Sequence, residues 1–94
     1  MPALLMRHQV AEFAAWKRRF DEDGPMRRAN GCQGERLFRN AANPGEVLVL
    51  MVWDDLERAR LFAQSDDLLE AMARAGVTDR PDVWFLEEAE PSPA

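Results

Sequence analysis

The chain contains no tyrosine, one cysteine and one histidine among its 94 residues. Cys32 alone cannot close an intrachain disulfide, and with His8 alone it cannot assemble a Cys/His zinc cluster, so a reducing interior suits this composition. No apolar run approaches the ~20 residues of a membrane span, and Ala3 to Met6, cut off by Arg7, is too short for a secretory core. Positive charge is also in deficit. Seventeen acidic residues against 12 basic ones leave a net charge of −5, a field that opposes phosphate backbones and anionic membranes. The basic pairs Arg18-Arg19 and Arg27-Arg28 lie near Asp21, Glu22 and Asp23 and are expected on solvated helix surface. Phosphate loops, nucleophile elbows and dinucleotide glycine fingerprints are missing as well. The expectation is a cytoplasmic protein with no nucleic-acid or membrane partner, and with no metal or cofactor.

Apolar residues make up 47% of the chain, enough for one core that removes roughly 60 to 70% of the unfolded surface from water. A single domain is expected over 1–88. Glu87 to Ala94 has the composition of a disordered end, and a flexible tail is expected at 89–94.

Ala3 to Gln9 predicts a first strand, with Leu4, Met6 and His8 on one side and Leu5, Arg7 and Gln9 on the other. The period then changes. Phe13, Trp16 and Phe20 recur at helical spacing between about Val10 and Asp23, and Gly24-Pro25 is expected to stop that helix. A loop over 26–31 leads to a second strand, Cys32 to Arg39, and the turn-forming Asn40 to Gly45 bends the chain into a third, Glu46 to Trp53. Asp54 with Glu57 forms a capping-box pattern ahead of a helix whose inner face is Leu56, Ala59, Phe62 and Ala63. Ser65-Asp66-Asp67 restarts a helix through Leu68, Leu69, Met72 and Ala73 to Gly76, and Asp82 to Leu86 is the last strand. The fold class is therefore α+β: a ferredoxin-like βαββαβ order with a four-stranded antiparallel sheet.

Relatives of that plan that bind RNA carry exposed aromatics and basic surroundings, which this acidic chain lacks. Versions that carry metals in a first-loop Cys-x-x-Cys are likewise excluded. The decisive segment is Glu46 to Trp53, apolar at consecutive positions. A strand wet on one side would alternate apolar with polar, so both faces need cover, and two helical segments can roof only one. The other face is expected to meet a second copy, closing a dimeric α/β barrel.

Several motifs together carry a family resemblance over almost the whole chain. They are Arg7-His8-x-Val10, Phe13-x-x-Trp16-Lys17-x-x-Phe20-Asp21, Asn43-Pro44-Gly45-Glu46-Val47, Trp53-Asp54, Ala59-Arg60-x-Phe62 with Ser65, and Ala75-Gly76-Val77 before Pro81. The chain resembles the small dimeric α/β-barrel proteins of the antibiotic biosynthesis monooxygenase type, including short cyclase-like members. That resemblance implies a pocket between sheet and helices where an aromatic or polycyclic substrate is oxidised by O₂ without flavin or metal. It also implies a polar first-strand side chain with Trp, and sometimes His, Tyr or Arg, at the site; His8 and the tryptophans are this chain's counterparts, and the tyrosine role has no candidate.

His8 is the one side chain whose ordinary pKa, about 6.5, suits proton exchange near neutrality, and it ends an apolar strand face. It is the candidate catalytic acid/base, the alternative being a strand-end histidine bonded to backbone or water. Trp53 and Trp84 are candidate substrate-binding walls, with packing at a dimer seam as the alternative, while Trp16 is expected in the core. Arg36 is a candidate anion anchor, against a structural ion pair, which is also the expectation for Arg7. Cys32 is expected as a buried structural thiol. The functional expectation is a cofactor-independent monooxygenase or cyclase acting on an aromatic or polyketide-like small molecule, and the alternative is a non-catalytic binding or structural dimer. An open cavity with His8 and an arginine converging on it favours catalysis; a filled interior favours the alternative.

Overall fold

The computed structural model describes residues 1–90, so the end of the expected 89–94 tail lies outside the described residues. The elements run β1 (Ala3–Gln9), α1 (Phe13–Glu22), α2 (Gly24–Asn30), β2 (Cys32–Asn40), β3 (Asn43–Trp53), α3 (Leu56–Ala63), α4 (Asp66–Ala75) and β4 (Asp82–Leu86). The four strands form one antiparallel sheet in the order β2-β3-β1-β4. This is the ferredoxin-like plan, with each helical segment of that plan broken into two helices.

Period-two alternation divides the sheet into a covered and an uncovered face. Leu4, Met6 and His8 of β1 pair with Met51, Val49 and Val47 of β3, and all six are buried beneath the helices together with Trp53. The intervening residues Leu5, Leu48, Leu50 and Val52 face the other way and are only half-buried. Trp84 stands opposite Leu5 and Phe38 opposite Leu48, so both share that uncovered face, and about half of each remains exposed (47% and 48%).

Three local departures from expectation have identifiable causes. Gly24-Pro25 does not end the helical segment; it opens α2, because proline in a first turn gives up an N–H that has no helical partner anyway. The stop comes at Gly31, whose φ of 118° is the left-handed value that glycine tolerates. The expected 40–45 turn shrinks to Ala41 and Ala42, with the Ala42 N–H donating to the Asn40 side chain (2.9 Å), and β3 begins at Asn43. Asp55, not Asp54, caps α3 by accepting from the Glu57 N–H (2.7 Å), which leaves Asp54 to pair with Arg58 (2.7 Å). Ser65 caps α4 and Gly76 ends it, both at the anticipated positions.

The aromatic stripe of α1 packs as a continuous stack: Phe13 and Trp16 lie 5.8 Å apart between ring centres, and Trp16 and Phe20 lie 4.9 Å apart. Trp16 is buried and sits over the His8 end of the sheet.

Candidate active site

His8 reaches the interior because it shares the inward phase of β1 with Leu4 and Met6. Only 3% of it is exposed, its ring is edge-on to Trp16 at 5.6 Å, and neither Nδ1 nor Nε2 has a hydrogen-bond partner among the described residues. Burial pushes its pKa down from 6.5 to about 4, Asp79 opposing that shift and Arg7 adding to it. His8 is therefore neutral at pH 7, with one N–H and one lone pair uncommitted. Buried polar groups are rarely left so, since an unmade bond costs about 1–3 kcal/mol.

The neighbouring charges are occupied elsewhere. Arg7, on the opposite phase of β1, donates to Asp82 (2.8 Å), Asp79 (2.9 Å) and Glu46 (3.0 Å), the structural ion pairing expected of it. Those carboxylates hold its guanidinium above its ordinary pKa, with Asp79 contributing most. Asp79 in turn is held below its usual range, chiefly by the Gln9 backbone N–H that donates to it at 2.7 Å.

His8 lines a cavity of about 40 Å³ between the sheet and the helices. Its walls are apolar: Trp16 and Phe20 from α1, Phe62 from α3, Leu68 and Ala71 from α4, and Val49 from β3. Ala75 and Met6, Met26, Met51 and Met72, four of the chain's five methionines, complete them. Unbranched thioethers shift rotamer cheaply, so this wall can yield to a ligand larger than the present space, which holds at most a few molecules the size of water or dioxygen.

Asp23 and Arg27 are the charged members of the lining. Arg27 is 5% exposed, contrary to the solvated position expected for the Arg27-Arg28 pair. Because Gly24–Asn30 is helical, Arg27 is turned inward. Its Nε and Nη2 donate to the Glu35 carboxylate (2.6 and 3.1 Å), and its guanidinium carbon lies 3.6 Å from the Phe20 ring centre. Glu35 sits at an inward position of β2, opposite Met51, where a carboxylate needs a cation, but the polar pattern of β2 does not disclose that phase, so no sequence signal marks the pair.

The sequence-predicted site residues are not brought together. Trp53 is fully buried on the same side of the sheet as His8, 5.1 Å from Phe62, but stands behind the cavity wall and leaves its indole N–H unpartnered. Trp84 and Arg36 pair with Leu5 and Leu50 on the uncovered face. The sheet lies between them and His8, so neither walls this cavity. Their strand positions are out of phase with the inward set, which the short β4 and the polar β2 did not reveal. Cys32 is buried as expected, its thiol donating to the Gly34 carbonyl (3.5 Å) and pushed above its ordinary pKa mainly by burial. Among the described residues, no three His, Cys, Asp or Glu side chains cluster as a metal site, and no helix is long and apolar enough to cross a membrane.

Against known proteins, residues 5–74 match the sequence model of the antibiotic biosynthesis monooxygenase family, a span that includes His8, the α1 stripe, Arg27 and Trp53. No curated protein matches the chain. Among solved structures, a Bordetella bronchiseptica protein described as a candidate antibiotic biosynthesis monooxygenase superposes with a TM-score of 0.79 at 20% identity, covering 95% of this chain and 97% of that one. SnoaB, a cofactor-independent oxygenase from Streptomyces nogalater, gives 0.71 at 16% identity, with 97% of each chain covered. Rv0793 from Mycobacterium tuberculosis gives 0.67 at 17%, covering 98% and 99%. At such identities the structures speak for the fold, whereas the sequence match speaks for descent: the chain belongs to the antibiotic biosynthesis monooxygenase family.

Proposed function

We propose that this protein is a cofactor-independent monooxygenase that oxidises an aromatic or polyketide-like molecule in the cavity beneath its sheet, with His8 as the general base. The observation that carries this reading is the buried, neutral imidazole with both nitrogens unpartnered against a largely apolar cavity. A free lone pair there accepts a proton from a hydroxyl or ring carbon that a conjugated carbonyl has acidified; the burial that keeps the ring neutral also weakens it as a base, so the substrate's own acidity carries part of this step. The resulting anion supplies the electrons that dioxygen needs: O₂ bonds to the ring carbon as a peroxide anion, which takes back from His8 the proton removed first, and the same carbon then yields its remaining hydrogen to His8 as a proton. As the C=O bond forms the O–O bond breaks, and the departing hydroxide leaves as water with that second proton from His8. In net form a ring CH₂ and O₂ become a ring C=O and H₂O. The methionine and aromatic walls keep bulk water from the anion until O₂ has added. A cyclase would use the same base to remove the acidic hydrogen, with carbon rather than O₂ as the electrophile.

The domain, over 1–88, is proposed to act as a homodimer joined through the uncovered sheet face. Leu5, Leu48, Leu50, Val52, Phe38 and Trp84 there form a contiguous apolar surface of the kind that marks an interface. Trp84 and Arg36 then belong to the seam rather than the pocket. A second reading, a dimer that binds a small apolar molecule without transforming it, draws support from the modest 40 Å³ of the cavity. Oxygen uptake with a panel of naphthols, anthrones and quinols separates the two. The monooxygenase reading expects uptake that falls at least about 100-fold in His8→Ala, the usual scale for losing a general base. An unchanged rate in that variant on a confirmed substrate would remove His8 from the role.

A further inference from the structure

We infer that Arg27 is a second polar anchor of the cavity, and that the substrate is an uncharged molecule carrying a ketone oxygen for Arg27 and a hydroxyl for His8 on one apolar framework. This rests on the cavity reading above but concerns what the cavity selects. The guanidinium is nearly free of solvent and fixed from two directions: Glu35 takes Nε and Nη2, and Phe20 lies beneath the plane. Among the described residues no acceptor takes a hydrogen bond from Nη1. A donor held this way loses little freedom when it binds an acceptor.

The surrounding charge determines which acceptor fits. Arg27 with Glu35, and Asp23 with Arg74 (3.9 Å), each form a pair without net charge, so the lining offers no uncompensated cation. A ligand carboxylate would bring an unbalanced charge into it and pay a full desolvation cost. A carbonyl dipole satisfies Nη1 without either, and negative charge that reaches the carbonyl oxygen after His8 takes the hydroxyl proton remains next to the guanidinium. Arg27 thereby serves as an orienting and specificity residue.

The test is ligand affinity by quenching of tryptophan fluorescence, under nitrogen so that no turnover intervenes. The probes are 1-naphthol, 4-acetyl-1-naphthol and 4-hydroxy-1-naphthoic acid. The expected order is ketone tightest, by about ten-fold over the naphthol, with the acid weakest. Arg27→Met should erase the ketone's advantage while leaving 1-naphthol within about two-fold. Because that variant strands Glu35, Arg27→Met with Glu35→Met is the companion, replacing the whole pair by apolar side chains. Equal affinities in the native protein, tightest binding of the acid, or a ketone preference that survives the double variant would each overturn the inference. So would failure of all three probes to bind at millimolar concentration. A ketone preference without oxygen uptake on any substrate would sink the oxygenase reading and leave Arg27 standing; oxygen uptake without a ketone preference would do the reverse.

Discussion

Replacing His8 by leucine should make the protein more stable and inactive at once. The ring is 3% exposed with both nitrogens unpartnered, so exchanging it for an apolar group of similar size removes an unmet desolvation cost of about 1–3 kcal/mol. A second, pH-dependent contribution follows from protonation. As pH falls through 6.5 the unfolded chain takes up a proton at this position, whereas the folded chain does not until about 4. Stability is therefore fully present above the unfolded value and declines with pH across that window. With those two values, the native protein at pH 5 has lost about 2 kcal/mol through this one group relative to pH 8. The leucine variant has no such loss. Urea denaturation at pH 5 and pH 8, at one fixed protein concentration, should show the variant ahead at both and its lead widening at the lower pH. In thermal melts each kcal/mol corresponds to about 4–8 °C for a domain of this size. A variant less stable than the native protein at both pH values, with an unchanged pH dependence, would show that the imidazole is a satisfied structural group and refute the reasoning.

Two further outcomes test other parts of the account. Leu50→Glu places a charge at the centre of the uncovered face, between Leu5 and Arg36, and should convert a micromolar dimer into monomers in sedimentation; a native protein already monomeric there would remove the seam altogether. Cys32 is buried with its thiol pushed upward, so a disulfide reagent should label it on the order of 100-fold more slowly in the native protein than in urea. Equal rates would contradict that burial.

Where hydrophobic periodicity is strong, the fold is legible in the chain alone. The inward phase of β1, the stripe Phe13-Trp16-Phe20, the Ser65 cap and the span of β4 all follow from spacing and side-chain chemistry. Gly24-Pro25 misled because the pair is equally at home ending one helix and beginning another, and what distinguishes the two is the packing of 24–30 on β2. That single ambiguity hid Arg27, which cannot be inward unless 24–30 is helical. The candidate site was half legible for a related reason. A strand pattern states which residues share a face but not which face the helices cover, and in β3 both faces are apolar. His8 came with the inward phase of its own strand, whereas Trp84 and Arg36 required the cross-strand register to reveal that they belong to the other side.

Because His8 is the chain's sole histidine, its imidazole nitrogens give one pair of ¹⁵N resonances and can be followed without assignment. At pH 6 they should report a neutral ring that titrates near 4, and both should move when 4-acetyl-1-naphthol is added. A ring that titrates near 6.5, or one whose resonances stay fixed under saturating ligand, would contradict the claim that an uncommitted base faces a ligand-binding cavity.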